Sequence, residues 1–192
     1  MELGQDSIFN VEVLLGRLLG RRLGKIANQK LTTGTGTNEP NGIVTAASLG
    51  KVAAAVAAFT ADELIDLQDA LDEAYEGNSS WMMKKSGRNP LRKLKDGEGN
   101  YLWQMANVQT GTPQTLLGET LHLNEAMPDL AADARPIIYG DFKEYYVRRV
   151  GSPVMGIMKE LFWPQTGIAG LIRFDGEIGD ARAIKALQMA PS

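Results

Sequence analysis

Residues 6–43 read DSIFNVEVLLGRLLGRRLGKIANQKLTTGTGTNEPNGI, and the reading of this stretch decides the fold. From Asp6 to Lys30 the apolar residues Ile8, Val11, Leu15, Leu18 and Leu19 follow the three-to-four spacing of one helical face. Asp6 or Ser7 supplies a cap, and Arg21, Arg22, Lys25 and Lys30 complement the negative end of the helix dipole. About 24 helical residues span roughly 36 Å at 1.5 Å per residue, a long strut for a chain of this size. Gly16, Gly20 and Gly24 recur every fourth residue. Each costs about 1 kcal/mol against alanine, so they predict close approach of another backbone, unless tertiary burial simply tolerates them. Thr32 to Ile43 then supplies the glycine, asparagine and proline of a chain reversal. A phosphate-cradling loop is excluded, because no Lys-Ser/Thr pair follows the glycines and the segment follows a helix where a strand is required.

Beyond the turn, residues 46–58 are rich in alanine and valine, and periodicity does not separate helix from buried strand. Thr60-Ala61-Asp62-Glu63 is a capping box that predicts a helix to about Glu76, with Leu64, Leu67 and Leu71 inward and Gly77-Asn78 as the stop. Its carboxylates are Asp62, Glu63, Asp66, Asp69, Asp72, Glu73 and Glu76. Paired carboxylates do acid–base work or hold a divalent cation, but a solvated face, or one meeting a basic patch on a neighbouring subunit, is the reading adopted. Ser79 to Met83 predicts a short buried strand. A short helix capped at Ser86 or Asn89, with Pro90 at its first position, should follow to Lys95 and contribute Leu91 and Leu94. Asp96 to Asn100 reads as a tight turn lacking calcium-ligand spacing. Strands are expected at Thr115–Leu123, Pro136–Tyr139, Glu144–Arg149 and Ile168–Asp175, and a short amphipathic helix using Ile184 and Leu187 at Asp180–Ala190.

Composition narrows the chemistry. The 192 residues, 44% hydrophobic and 22% charged, suffice for one large or two small globular domains. A net charge of −3 argues against a surface built to neutralise phosphates, so no sequence-specific nucleic-acid partner is expected. The chain has no cysteine, which removes disulfides, thiolate metal sites and cysteine nucleophiles. Its one histidine, His122, lies on the strand face opposite Leu121 and Leu123 and reads as an ordinary surface or hydrogen-bonded residue. No run of 18 apolar residues predicts a membrane span, and no basic segment ahead of an apolar one predicts a secretion signal. No catalytic, cofactor-binding or metal-ligating residue is nominated, and no cofactor is expected.

Five phrases in order resemble the major capsid proteins of tailed bacteriophages with the Hong Kong 97-like fold. They are Leu3-Gly4-Gln5-Asp6-Ser7 leading into the arginine-bearing helix and its Gly34-Thr35-Gly36 and Pro40-Asn41-Gly42-Ile43 turn; Trp81-Met82-Met83 with Leu91 to Asp96, Gly99, Tyr101 and Leu102; Thr115-Leu116-Leu117-Gly118 with Met127-Pro128; Ile138-Tyr139-Gly140-Asp141-Phe142 with Tyr146 and Arg148; and Arg173-Phe174-Asp175-Gly176 with Ala183, Lys185 and Leu187. Each phrase is short, and together they cover nearly the whole chain.

The resemblance implies an α+β, Hong Kong 97-like capsid fold. A peripheral domain of residues 1–34 and 143–192 would combine a long spine helix with returning strands, and an inserted axial domain of residues 35–142 would point toward the five-fold and six-fold axes. Family members carry an N-terminal arm and an extended loop ahead of the spine helix. This sequence starts at the helix, so both are expected to be absent and these residues alone to be monomeric or a small oligomer. Some members join a lysine of that loop to an asparagine near the C-terminal strands. Val150 to Leu161 contains no asparagine, and Glu160, near the position of the assisting glutamate, would lack partners, so no cross-linking is expected. The function implied is a structural subunit of a phage or prophage icosahedral capsid. Identical subunits would pack in pentamers and hexamers around the genome, in a virion assembled from protein made in the bacterial host cytoplasm, with no membrane partner. An encapsulin-like cellular shell protein is the alternative within the fold. A carboxylate-dependent hydrolase and a small binding module are the alternatives outside it.

Overall fold

The computed structural model describes residues 11–93, 115–158 and 167–192, and in it the strut is one unbroken helix, α1 (Val11–Thr33). Its expected start at Asp6 lies outside the described residues. In its last turn Thr32 and Thr33 turn their hydroxyls back to the carbonyls of Asn28 and Gln29, at 2.7 and 3.1 Å. The chain then reverses: Gly34 N–H donates to Lys30 O at 2.9 Å, Thr35 bridges Asn41, and Gly42 N–H returns to Gly34 O at 3.0 Å. Glu39 fastens this turn by accepting from the Thr35 amide and hydroxyl at 2.8 and 2.9 Å and by pairing with Lys30.

Six strands form a mixed sheet: β1 (Ser48–Val52), β2 (Ser80–Met83), β3 (Thr115–Leu116), β4 (Glu119–Leu123), β5 (Ile137–Gly140) and β8 (Ile184–Gln188), in the order β1-β8-β5-β2-β4-β3. Two further strands, β6 (Tyr145–Met158) and β7 (Gly167–Ile178), pair only with each other as a long antiparallel ribbon. Apolar side chains cover both faces of the sheet. On one face Trp81, Met83, Ile137, Tyr139, Leu187 and Met189 meet Leu64, Leu67 and Leu71 on and just after α3 (Ala61–Asp69). On the other, Ile138, Ile184 and Ala186 meet Ile43 and Val44 of α2 (Ile43–Ala46). Burying one such large side chain stabilises by about 1.5–3 kcal/mol, so a sheet packed on both sides carries most of the stability. Trp81 and Tyr139 face each other across β2 and β5 with ring centroids 4.4 Å apart, and the Tyr139 hydroxyl is paired with Ser79 Oγ at 2.6 Å.

The capping box forms as expected: Glu63 N–H donates to Thr60 Oγ1 at 3.3 Å while the Glu63 carboxylate accepts from Thr60 N–H at 2.8 Å. The helix stops at Asp69, however, not near Glu76. Asp72 starts a separate 3-10 turn, Glu73–Asn78, by accepting from Ala74 N–H at 3.1 Å. A second cap inside the acidic run therefore divides what its composition presents as one helix.

Other expectations change in detail. The alanine- and valine-rich stretch contributes the strand β1. The helix around Pro90 begins earlier, as α4 (Lys85–Leu91), with Pro90 in its last turn in place of its first, because Lys84 already adopts the extended N-cap conformation. Leu91 is buried as expected, whereas Leu94 and the turn at residues 96–100 lie outside the described residues. Thr115–Leu123 is a hairpin, β3 and β4, broken at Leu117-Gly118.

The larger correction is at the C-terminal end. Residues 184–188 are the strand β8, not an amphipathic helix, and β8 lies between β1 and β5. Ile184 and Ala186 face one cluster and Leu187 faces the other. A strand buried on both faces loses the alternation that identifies strands, and its Ile184/Leu187 spacing imitates a helix.

Gly140 ends β5 with φ of +149°, a conformation essentially confined to glycine, and an added Cβ would collide with the Ala183 carbonyl. Gly140→Ala is expected to destabilise the protein by roughly 3–5 kcal/mol, measured as a shift in the urea midpoint at unchanged slope. A loss below about 1 kcal/mol would contradict the packing described.

Candidate functional site

Surfaces, rather than a cleft, are what the fold presents. The clearest is the ribbon. Alternate residues of β7 face α1: Gly170 lies against Leu19 and Leu23, and a side chain at Gly170 would press on both. The other face of the ribbon is bare. Tyr146, Arg148, Val150, Val154 and Met158 of β6 share it with Leu171, Arg173, Asp175 and Glu177 of β7, all of them exposed. Val154 and Leu171 are directly paired across the strands and each is 62% exposed. A two-stranded ribbon covered only in part on one face, where Val147, Met155 and Ile168 are also exposed, is marginal by itself, and a contiguous exposed apolar patch marks an interaction surface.

Three contacts hold this ribbon to the turn after α1. Asn41 N–H donates to Gly176 O at 3.1 Å, the Asn41 side-chain amide to Glu177 at 2.9 Å, and the Tyr145 hydroxyl to Asn41 O at 2.9 Å. Partial burial, with Glu177 and Asp175 nearby, pushes the Tyr145 phenol up to about 12, so it remains a donor at neutral pH. A second set joins α1 to the six-stranded sheet. The Asn28 amide donates to Asn124 Oδ1 at 2.8 Å, and the Asn124 amide donates to Thr32 Oγ1 at 2.9 Å. Sequence reading missed Asn124 because its partners lie 92 and 96 positions away.

Charge is unevenly distributed. On α1 and the ribbon, Arg17, Arg21, Arg22, Arg148, Arg149 and Arg173 are exposed and form no ion pair with any described residue. Lys25 reaches Glu125 at 3.7 Å, with both side chains solvated, a pair worth little. The carboxylates singled out in the sequence do not converge. Glu63 is buried and accepts from the Ala54 and Thr60 amides at 2.7 and 2.8 Å. Asp66 pairs with Lys51 at 2.6 Å and Asp72 with Arg182 at 3.4 Å, while Asp62, Asp69, Glu73 and Glu76 are exposed. Among the described residues no group of three or more His, Asp or Glu side chains is placed to hold a metal ion. Among the described residues, a side chain added at Gly16, Gly20 or Gly24 would meet no atom within 4 Å. His122 is exposed and edge-on to Phe142, with centroids 6.3 Å apart, beside an open hollow lined also by Asn78, Ser80 and Lys143. Glu160 lies outside the described residues. No helix among the described residues is long and apolar enough to cross a membrane.

A phage capsid family model matches residues 1–189. No curated protein matches the sequence. Among solved structures, the capsid of an empty GTA particle computed with C5 symmetry superposes with a TM-score of 0.85 at 28% identity, over 99% of this chain and 70% of that one. The capsid of the native GTA particle gives 0.86 at 27% identity, over 99% and 69%. Microbacterium phage Oxtober96 gives 0.69 at 14% identity, over 97% and 68%. This chain thus spans about 70% of the GTA capsid chains it matches.

The polar clamp before β8 generates a pH prediction. Tyr75 O–H and Arg182 both donate to Asp180, at 2.9 and 2.8 Å, and Arg182 holds that carboxyl well below the ordinary carboxylate range. Glu39 is lowered to about 2, chiefly by its hydrogen bond from Lys30. Depressed carboxyl values stabilise the fold above the unfolded value, and this contribution is lost as the pH falls through the folded one. The melting temperature is therefore expected to drop between about pH 4.5 and pH 2. Asp180→Asn should lower it at pH 7 and flatten that acid limb, and an unchanged limb in calorimetry would refute the assignment.

Proposed function

This chain belongs to the phage capsid family, and from that premise we propose that it builds its shell by packing in rings of five and six identical copies. It is a structural subunit of a capsid, in a phage or phage-like particle, and the whole-chain superposition on GTA capsids carries this conclusion. The finer reading is geometric. A peripheral lobe consists of α1 with the β6–β7 ribbon. An axial lobe consists of residues 35–142 together with the returning strand β8, and it points toward the ring axes. The C5 symmetry reported for the GTA capsids supports this ring arrangement. Assembly is the role of the molecule, without catalysis, and synthesis takes place in the bacterial host cytoplasm.

The exposed face of the ribbon and the exposed arginines of α1 are the proposed contacts with neighbouring copies. Modest apolar burial at each contact, repeated round a closed shell, gives a large total. The exposed carboxylates of residues 62–76 offer the complementary charge to a basic neighbour, which orients the encounter more than it tightens it.

Val154→Lys and Leu171→Lys are expected to leave the subunit's stability within about 0.5 kcal/mol, as surface substitutions do, and to cut the yield of particles by at least tenfold. Circular dichroism and electron microscopy of the full-length protein measure the two effects. Normal particles from the double variant would exclude the ribbon face as an interface. With no asparagine between Val150 and Leu161, particles boiled in SDS should run as single subunits, and a ladder of covalent oligomers would contradict that reading.

A further inference from the structure

Of the chain's asparagines, Asn41 alone precedes a glycine. Before glycine the next backbone nitrogen has no side chain beside it, so it reaches the asparagine carboxamide more freely than before any other residue. The Gly42 nitrogen attacks Asn41 Cγ, the new N–Cγ bond forms, the Cγ–Nδ2 bond breaks, and the Gly42 amide proton leaves with ammonia. Water then opens the resulting five-membered ring to aspartate or to its β-linked isomer. Both reacting groups belong to one short stretch of backbone, so local geometry sets the rate.

The turn after α1 cannot avoid this pair. A side chain at residue 42 would run into the Gly34 amide and the Thr32 carbonyl, so the close approach there demands glycine. Asn41 is fixed by its own contacts. Its side-chain amide donates to the two Glu177 oxygens at 2.9 and 3.2 Å, its backbone N–H donates to Gly176 O at 3.1 Å, and its carbonyl accepts from the Tyr145 hydroxyl at 2.9 Å. A chemically labile dipeptide therefore sits where helix, sheet and ribbon join. The folded junction also holds the reaction back. Gly42 is buried and its N–H donates to Gly34 O at 3.0 Å, so the proton that must leave is bonded and shielded from hydroxide. The bonds to Glu177 tie the carboxamide to the ribbon.

We propose that Asn41 is a deamidation site that the intact junction suppresses, and that its conversion to aspartate releases the ribbon from the turn. Aspartate has no donor to offer Glu177 and sets a second carboxylate against it, and like charges at that distance repel. The β-linked isomer also lengthens the backbone between residues 41 and 42, which displaces the Gly42–Gly34 bond. Opening permits the reaction and the product opposes closing, so a subunit that has reacted stays open. The inference concerns the junction within one subunit and stands apart from the ring packing proposed above.

Mass spectrometry of the tryptic peptide Leu31–Lys51 from the full chain, kept at mildly alkaline pH, tests this with an internal control, since the peptide also carries Asn38 before Glu39. Unfolded in guanidinium, the chain should lose ammonia at Asn41 and not at Asn38. In the folded protein the loss at Asn41 should be at least about tenfold slower, because only the open junction reacts. Glu177→Ala, which removes the acceptor of the Asn41 amide, should speed the loss in the folded state. Asn41→Asp reproduces the product and should melt about 2–6 °C lower, and Glu177→Gln in the same chain should restore part of that difference. A folded parent that reacts as fast as the unfolded chain overturns the inference, as does a Glu177→Ala protein no faster than the parent. So does an Asn41→Asp protein that melts with the parent or gains nothing from the glutamine.

Discussion

Everything in this structure hangs on the ten-residue reversal from Gly34 to Ile43. Helix, ribbon and sheet meet there, and each is held by a bond that the turn supplies. Gly42 N–H returns to Gly34 O, Asn41 N–H crosses to Gly176 O on the ribbon, and Ile43 enters the core with Ile184 and Ala186. A side chain at Gly42 would collide with the Gly34 amide and the Thr32 carbonyl, so the two ends of the loop approach as closely as backbone permits. The long helix would otherwise be a lever free to pivot. Asn124, accepting from Asn28 and donating to Thr32, fixes a second point along it, and two points separated along a rod determine its direction.

Sequence patterns exposed the elements whose signal is local. The helix of residues 11–33 declared itself by one-sided apolar spacing, and the Thr60–Glu63 box by two hydrogen bonds that lie within four residues. Phrases shared with phage coat proteins fixed the family and the fold, beyond what periodicity could give. What stayed hidden depends on distant partners. β8 could not be distinguished from a helix because Ile184, Ala186 and Leu187 are buried on two opposite faces, which erases alternation. The break after Asp69 stayed hidden because Asp72 reads as one more member of an acidic run, although its carboxylate starts the next turn.

The candidate surfaces show the same division. The strands at Glu144–Arg149 and Ile168–Asp175 were legible, but which face α1 meets is a tertiary fact. Leu19 and Leu23 choose it by resting on Gly170. The glycine stripe of α1 was legible in the sequence, but among the described residues nothing lies within 4 Å of a side chain added at Gly16, Gly20 or Gly24.

Folding and assembly thus draw on separate parts of the molecule. The six-stranded sheet is sealed on both faces by the chain's own side chains, with Trp81, Ile137, Ile138, Ile184 and Leu187 fully buried. The ribbon is different: one face rests on α1 only in part, at Gly170, and the other exposes Val154 and Leu171 side by side. A two-stranded ribbon gains its rigidity from whatever covers it, and the six-stranded sheet supplies far more of its own packing than the ribbon does. That asymmetry suits a shell subunit.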